Sequence, residues 1–70
     1  MKTQDLNKVK SSLSFIAGIT SKRFEGNKNE MFTLPNGLIV NVYDSGTVTF
    51  QGNTEGEEQK KQIKQIEDLG

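Results

Sequence analysis

The side chains that most often carry acid, base or metal chemistry are scarce in this sequence. It contains neither histidine nor cysteine, which excludes disulfides and sites built from thiolate or imidazole ligands. The remaining candidates are carboxylates, and each has a structural explanation: a tight turn for Asp44, and helix ends for Glu55–Glu58 and for Glu67 and Asp68. Because acid–base catalysis also needs a pocket, which a small core hardly forms, we predict a non-enzymatic protein without metal or cofactor.

The basic residues form three clusters along the chain. Those at Lys8 and Lys10 and at Lys60–Lys64 have the spacing of ordinary charged helix surfaces. A glycine-containing stretch precedes the last cluster, but the acidic residues at that helix start would repel an anion. The remaining cluster precedes or flanks the edge of the predicted sheet and is suited to contact phosphates: Lys22, Arg23 and Lys28.

Length and charge set further bounds on the class of protein. Seventy residues make one domain, residues 1–70, and a domain of this size buries only about 60% of its unfolded surface, so self-association as a homodimer is open. Nine basic and nine acidic residues cancel, which removes any global attraction to a polyanion. Neither a secretory signal nor an apolar run of membrane-spanning length is present, so we expect a cytoplasmic protein without membrane contact.

The hydrophobic spacing predicts two helices around a run of short strands. Residues 3–18 carry an apolar stripe of helical period, although alternating side chains leave a strand open for residues 12–20. The last helix, over residues 55–68, starts with Thr54 three residues before Glu57, the spacing of a capping box. Turn residues separate the predicted strands, at residues 19–25, 30–34, 38–43 and 47–51.

Two short loops determine how these strands pair. "PNG" and "DSG" fit a type I turn followed by a residue with positive φ, so Pro35 or Asp44 begins the loop and Gly37 or Gly46 ends it. Two-residue loops would instead mix apolar and polar side chains on each face. The three-residue register gives one apolar face: Phe32, Leu34, Leu38, Val40, Val42, Val48 and Phe50. We therefore predict a two-layer α+β domain, a three- to four-stranded antiparallel meander with both helices packed on that face.

The other face of these strands carries no charged side chain. Its predicted residues are Thr33, Ile39, Asn41, Tyr43, Thr47, Thr49 and Gln51. A solvated face rich in strand-forming residues explains this composition. Solvated faces usually carry Lys and Glu, however, and a neutral surface with amides and an aromatic ring also suits contact with a protein or a nucleic acid.

The stretch "VYDSGTVTFQGN", after "LPNGLIV" and before a helix, resembles the TATA-box-binding-protein-like module at the N-terminus of type 3 ribonucleases H. Similar half-repeats occur in RnlA-type toxins and ahead of TIR-like nucleotide-binding domains. The resemblance covers residues 30–68 and is most specific at Ser45-Gly46 and Gln51-Gly52. It implies a curved sheet with helices on one side and an open face that engages nucleic acid, here through Asn41, Tyr43, Thr47, Thr49 and Gln51. The catalytic domain of the ribonucleases is missing, so no nuclease activity is implied, and a saddle of two halves would require a homodimer.

Two functions of different class follow from these observations. The first is a module that binds RNA, an RNA–DNA hybrid or a DNA minor groove, with Lys22, Arg23 and Lys28 on the backbone and the open-face residues on bases or sugars. The second is a protein-interaction module of phage or mobile-element type that docks on a larger enzyme, such as a host defence ribonuclease. The resemblance favours the first, whereas the zero net charge favours the second.

Overall fold

Alternating apolar and polar side chains, interrupted by turn residues, fold the middle of the chain into an antiparallel sheet. The structure, a computed structural model, describes residues 1–69. In chain order the elements are α1 (Leu6–Ser14), β1 (Thr20–Phe24), β2 (Asn29–Thr33), β3 (Leu38–Tyr43), β4 (Val48–Gly52) and α2 (Glu57–Leu69). Each strand pairs with its sequence neighbour in the order β1-β2-β3-β4. The predicted α+β fold, a meander sheet between two terminal helices, is confirmed.

The register of the central hairpins is the one that three-residue loops predict. Val40 lies opposite Phe32 on one side and opposite Phe50 on the other. Gly37 and Gly46 have φ values of 92° and 96°, and their N–H groups close the turns onto the carbonyls of Leu34 and Tyr43 at 3.0 and 2.9 Å. Both loops therefore need glycine, because side chains with a Cβ rarely adopt this conformation.

The apolar face of the sheet is the core of the domain. Val9 and Leu13 of α1 and Ile66 of α2 join the buried strand residues in a single hydrophobic cluster, so both helices cover the same face. The spacing of Val9 and Leu13 is the reason that α1 docks along one stripe. The sheet face opposite the helices has no layer over it in residues 1–69.

Both helices start and end at different residues from those predicted. The first begins at Leu6, because Asp5 Oδ1 caps it by accepting a hydrogen bond from Lys8 N at 3.0 Å, and it ends at Ser14 rather than at residue 18. The second begins at Glu57, where the Gly56 carbonyl accepts from Lys60 N at 2.9 Å. The predicted capping box of Thr54 and Glu57 is therefore wrong, since Thr54 lies two residues before the cap.

A pairing that the sequence pattern does not reveal holds residues 1–3 on the outer edge of β4. Met1 and Val48 exchange two backbone hydrogen bonds of 2.8 Å, and Thr3 N donates to the Gly46 carbonyl at 2.7 Å. Lys2 pairs with Thr47 in an antiparallel bridge between them. This short segment covers the first half of an edge that would otherwise expose unpaired backbone groups.

Neither helix in residues 1–69 has the length and apolar character that crossing a membrane requires.

Candidate functional site on the open sheet face

The sheet face turned away from the helices, called here the open face, is defined by the strand register. Side chains directly opposite each other in an antiparallel pair share a face, and every second residue along a strand returns to it. Starting from Asn41, this rule assigns eleven strand residues and the neighbouring Thr47 to the open face: Thr20, Lys22, Phe24, Asn29, Met31, Thr33, Ile39, Asn41, Tyr43, Thr47, Thr49 and Gln51. The seven residues predicted for this face are all among them.

Two aromatic rings lie in one cross-strand row of the open face. Asn29 pairs with Phe24 on β1 and with Tyr43 on β3, so the two aromatic residues flank one small amide and their backbones are two strand spacings apart, about 9 to 10 Å. Both rings are half-buried. Lys22 places its Nζ 5.2 Å from the centre of the Phe24 ring, within cation–π range. Tyr43 is predicted for this face from the sequence but Phe24 is not, because the turn between β1 and β2 ends at Lys28 rather than at a glycine and gives no signal for the register of β1.

Asn41 lies on the open face as predicted, but it is buried rather than exposed to solvent. It is 6% exposed, and its Oδ1 accepts a hydrogen bond of 2.9 Å from Nδ2 of Asn29, which is 3% exposed. The larger side chains of Met31 and Tyr43 lie next to these short amides on the same face and shield them from solvent. Within the described residues Asn29 Oδ1 is buried without a hydrogen-bond partner. The Asn29–Asn41 pair is thus buried within the open face. The polar side chains of Thr49 and Gln51, by contrast, are exposed and accessible to a ligand.

The three basic residues expected to act together are separated by the fold. Adjacent strand residues point to opposite faces, so Lys22 lies on the open face and Arg23 on the helix side of β1. Arg23 donates two hydrogen bonds to the Asp44 carboxylate, at 2.9 and 2.7 Å, and a third to Glu25 at 3.0 Å. Lys28 lies in the turn between β1 and β2 with φ of 54°, at the end of the sheet.

The Arg23–Asp44 contact is a bidentate ion pair, which shifts the pKa values of both side chains. The hydrogen bonds that Arg23 donates to Asp44 lower the pKa of Asp44, and the same hydrogen bonds, followed by the one that Glu25 accepts, raise the pKa of Arg23. Three of the five N–H donors of the guanidinium are occupied in this way. In the structure this ion pair joins β1 to the turn that follows β3, whereas contact of Arg23 with a nucleic-acid backbone stays a prediction.

The pairing of residues 1–3 with β4 adds a cation that is not among the predicted site residues. Because Lys2 lies opposite Thr47, it shares the open face, at the far end of the row that contains Tyr43. Lys22 and Lys2 therefore lie near opposite edges of the sheet, on the same side. No periodic pattern in the sequence could have assigned Lys2 to this face, because a three-residue edge segment has too few residues to show alternation.

Acidic side chains are kept off the open face. None of the nine acidic residues of the chain occupies one of its positions within residues 1–69. Glu30 points to the helix side, where it pairs with Lys10 at 3.6 Å. The other acidic residues lie in turns or at the helices: Asp5, Glu25, Asp44, Glu55, Glu57, Glu58, Glu67 and Asp68. The zero net charge therefore conceals a segregation, since every charged side chain on the open face is a lysine.

The side chains of the open face offer stacking, hydrogen bonding and cationic contact. In the part of the chain that the structure describes, no three side chains of the histidine, cysteine, aspartate and glutamate types gather to hold a metal ion. In comparisons with protein-family models, with curated proteins and with solved structures, no match to this chain was found. The geometry of the open face is therefore the basis for any functional proposal.

Proposed function

We propose that this chain is a non-catalytic module that binds nucleic acid on the open face, with the unstacked bases of a single RNA strand as the best-fitting ligand. The observation that carries this proposal is the segregation of charge: aromatic rings and lysines share a face from which all acidic residues are absent. Such a face attracts phosphates locally although the whole chain has no net charge.

Each group on the face has a role in this proposal. Phe24 and Tyr43 stack one base each, a contact worth about 1–3 kcal/mol per base by alanine substitution. Thr49 and Gln51 donate to and accept from base edges or 2′-hydroxyls, whose presence distinguishes RNA from DNA. Phosphates are neutralised at the edges of the sheet by Lys2, Lys22 and Lys28.

The number of lysines sets a measurable salt dependence. Three phosphate contacts on a single strand give a slope of about −2 in a plot of log K against log salt. Between about 50 and 200 mM salt the affinity should therefore fall roughly 20-fold. Titration of labelled single-stranded RNA, single-stranded DNA, duplex DNA and RNA–DNA hybrid at both salt concentrations tests this value and ranks the ligands, including a DNA minor groove.

A matched pair of charge variants tests where binding occurs. Lys22→Gln removes a cation from the open face, whereas Lys64→Gln removes one from the exposed surface of α2. We expect the first to weaken binding and to reduce the salt slope by about 0.7, and the second to leave both unchanged. Tyr43→Ala should weaken binding while the urea midpoint stays close to that of the native chain. Equal effects of the two lysine variants would refute the assignment of the open face.

A protein-interaction module is the second candidate, favoured by the half-buried apolar side chains of Met31 and Ile39 on the same face. In that case the partner would be a larger protein, such as a host enzyme modulated by a phage or mobile-element product. This function predicts no salt-dependent affinity for any of the four nucleic acids. Such a result would overturn the nucleic-acid proposal.

A further inference from the structure

The side chain of Asn29 contains the one buried polar side-chain atom in residues 1–69 that has no hydrogen-bond partner. Its Nδ2 donates to Asn41 Oδ1 at 2.9 Å, whereas its own Oδ1 accepts from no group of these residues. Nearly all buried polar atoms in folded proteins are paired, because an unpaired one lowers the stability of the fold. The unpaired oxygen therefore points to a donor supplied by another molecule.

Asn29 lies between the two aromatic residues that are proposed to stack bases. Phe24 and Tyr43 are its direct partners on the neighbouring strands, so their Cβ atoms lie about 4.5–5.5 Å from its own. Both rings are only half-buried, and the core lies on the opposite side of the sheet. A change of ring rotamer can thus give a ligand access to the amide without disturbing the core.

A recessed acceptor discriminates between donors by how far they project from a base. An exocyclic amino group extends one bond beyond the ring, whereas the imino N–H of uracil lies at the ring edge between two carbonyl oxygens. Uracil also carries an oxygen where cytosine carries its amino group. Two acceptors that face each other make no hydrogen bond, so uracil gains nothing at such a position.

We propose that Asn29 is a specificity-determining residue of the open face, and that its Oδ1 accepts a hydrogen bond from the exocyclic amino group of a base stacked on Phe24 or Tyr43. Cytosine, adenine and guanine carry such a group and uracil does not. This inference rests on the proposed binding of single-stranded RNA. The stacked base keeps the amide covered and supplies the donor that the free chain lacks.

The native chain tests the choice of base with oligocytidylate and oligouridylate of equal length. The two bases have the same ring size and differ in the amino or carbonyl group at one ring position. In anisotropy titrations at about 50 mM salt, we expect oligocytidylate to bind about 5-fold more tightly or better, because a buried acceptor gains its partner. Cytidine whose amino group carries two methyl groups keeps the ring but lacks the donor, and it should lose this advantage.

A double variant tests whether Asn29 is the residue responsible. Asn29→Leu combined with Asn41→Leu removes both amides together, so neither is left without a partner and the fold is retained. This variant should bind the two oligonucleotides with equal affinity. Asn41→Leu alone keeps the Asn29 oxygen and serves as the matched control, in which the preference for cytidine should persist. Circular dichroism verifies that both variants are folded under the titration conditions.

The possible results separate this inference from the proposed function. Equal affinity of the native chain for the two oligonucleotides would overturn the role of Asn29, while salt-dependent binding of both would leave nucleic-acid binding in place. A preference for cytidine that survives the double variant would assign the choice of base to another residue and overturn the inference as well. Binding of neither oligonucleotide would refute the proposed function and this inference with it.

Discussion

Gly46→Ala is expected to destabilise the fold by more than its local conformation alone requires. Gly46 has a φ of 96°, where an alanine costs about 1–2 kcal/mol. A Cβ at this position would also lie 2.8 Å from the Thr3 carbonyl oxygen, closer than such atoms approach. The segment formed by residues 1–3 must therefore shift away from β4 before the substituted chain can fold.

The added cost follows from the contacts that this shift breaks. Three backbone hydrogen bonds join the segment to the Gly46–Val48 stretch, at 2.7, 2.8 and 2.8 Å. At roughly 0.5–1.5 kcal/mol each, their loss adds about 2–4 kcal/mol. The total of about 3–6 kcal/mol is a large share of the roughly 4–10 kcal/mol that a chain of this length holds as its free energy of unfolding.

Gly37→Ala is the matched control within the same chain. Gly37 ends the other three-residue loop with nearly the same φ, 92°, but a Cβ there would meet only the Asn53 Cβ at 3.4 Å, an ordinary contact. Urea unfolding of both variants therefore separates the conformational cost, which they share, from the cost of displacing residues 1–3. Hydrogen exchange at the amides of Thr3 and Val48 should accelerate in Gly46→Ala only. If the two variants lose equal stability, the pairing of residues 1–3 with β4 contributes nothing and the reasoning fails.

Two further substitutions test polar contacts of the fold. Since Arg23 lowers the pKa of Asp44, the ionised carboxylate contributes stability that is fully present above its unfolded pKa of about 4 and is lost as pH falls through the lowered folded pKa. Urea midpoints should therefore show Asp44→Asn less stable than the native chain at neutral pH and equal to it in strong acid; a constant difference would contradict the pair. Asn41→Leu leaves the buried Nδ2 of Asn29 without a hydrogen-bond acceptor and should lower the free energy of unfolding by about 1–3 kcal/mol. Adding Asn29→Leu should restore most of that stability. Additive losses in the double variant would show that the two amides do not interact.

The sequence predicted the candidate site to the extent that short-range rules apply. Gly37 and Gly46 could be recognised because a three-residue hairpin loop needs positive φ at its last position, and this loop length then sorts the strand side chains into two faces. This rule predicts the side-chain orientation in β2, β3 and β4, because the two loops connect these strands. It does not predict the orientation of β1, because the four-residue turn after β1 ends at Lys28. This residue has positive φ, but a lysine in the sequence does not indicate positive φ as a glycine does.

The residues of the site differ from those predicted wherever contacts between residues distant in sequence determine their position. Alternation along β1 separates Lys22 from Arg23, but only the approach of Asp44 to Arg23 assigns that guanidinium to an ion pair. The burial of Asn41 likewise depends on Asn29, twelve residues away. Lys2 reaches the open face only because residues 1–3 pair with β4.

The amino-acid sequence by itself determined the α+β class, the two glycine-ended hairpins and the division of the strands into an apolar and a neutral face. These features depend on side-chain period and backbone conformation within a few residues, which are local properties of the chain. The tertiary structure alone decided which cations share the open face and which amides are buried. Those properties depend on distances between segments far apart in sequence, and burial and charge pairing act through such distances rather than through the order of residues.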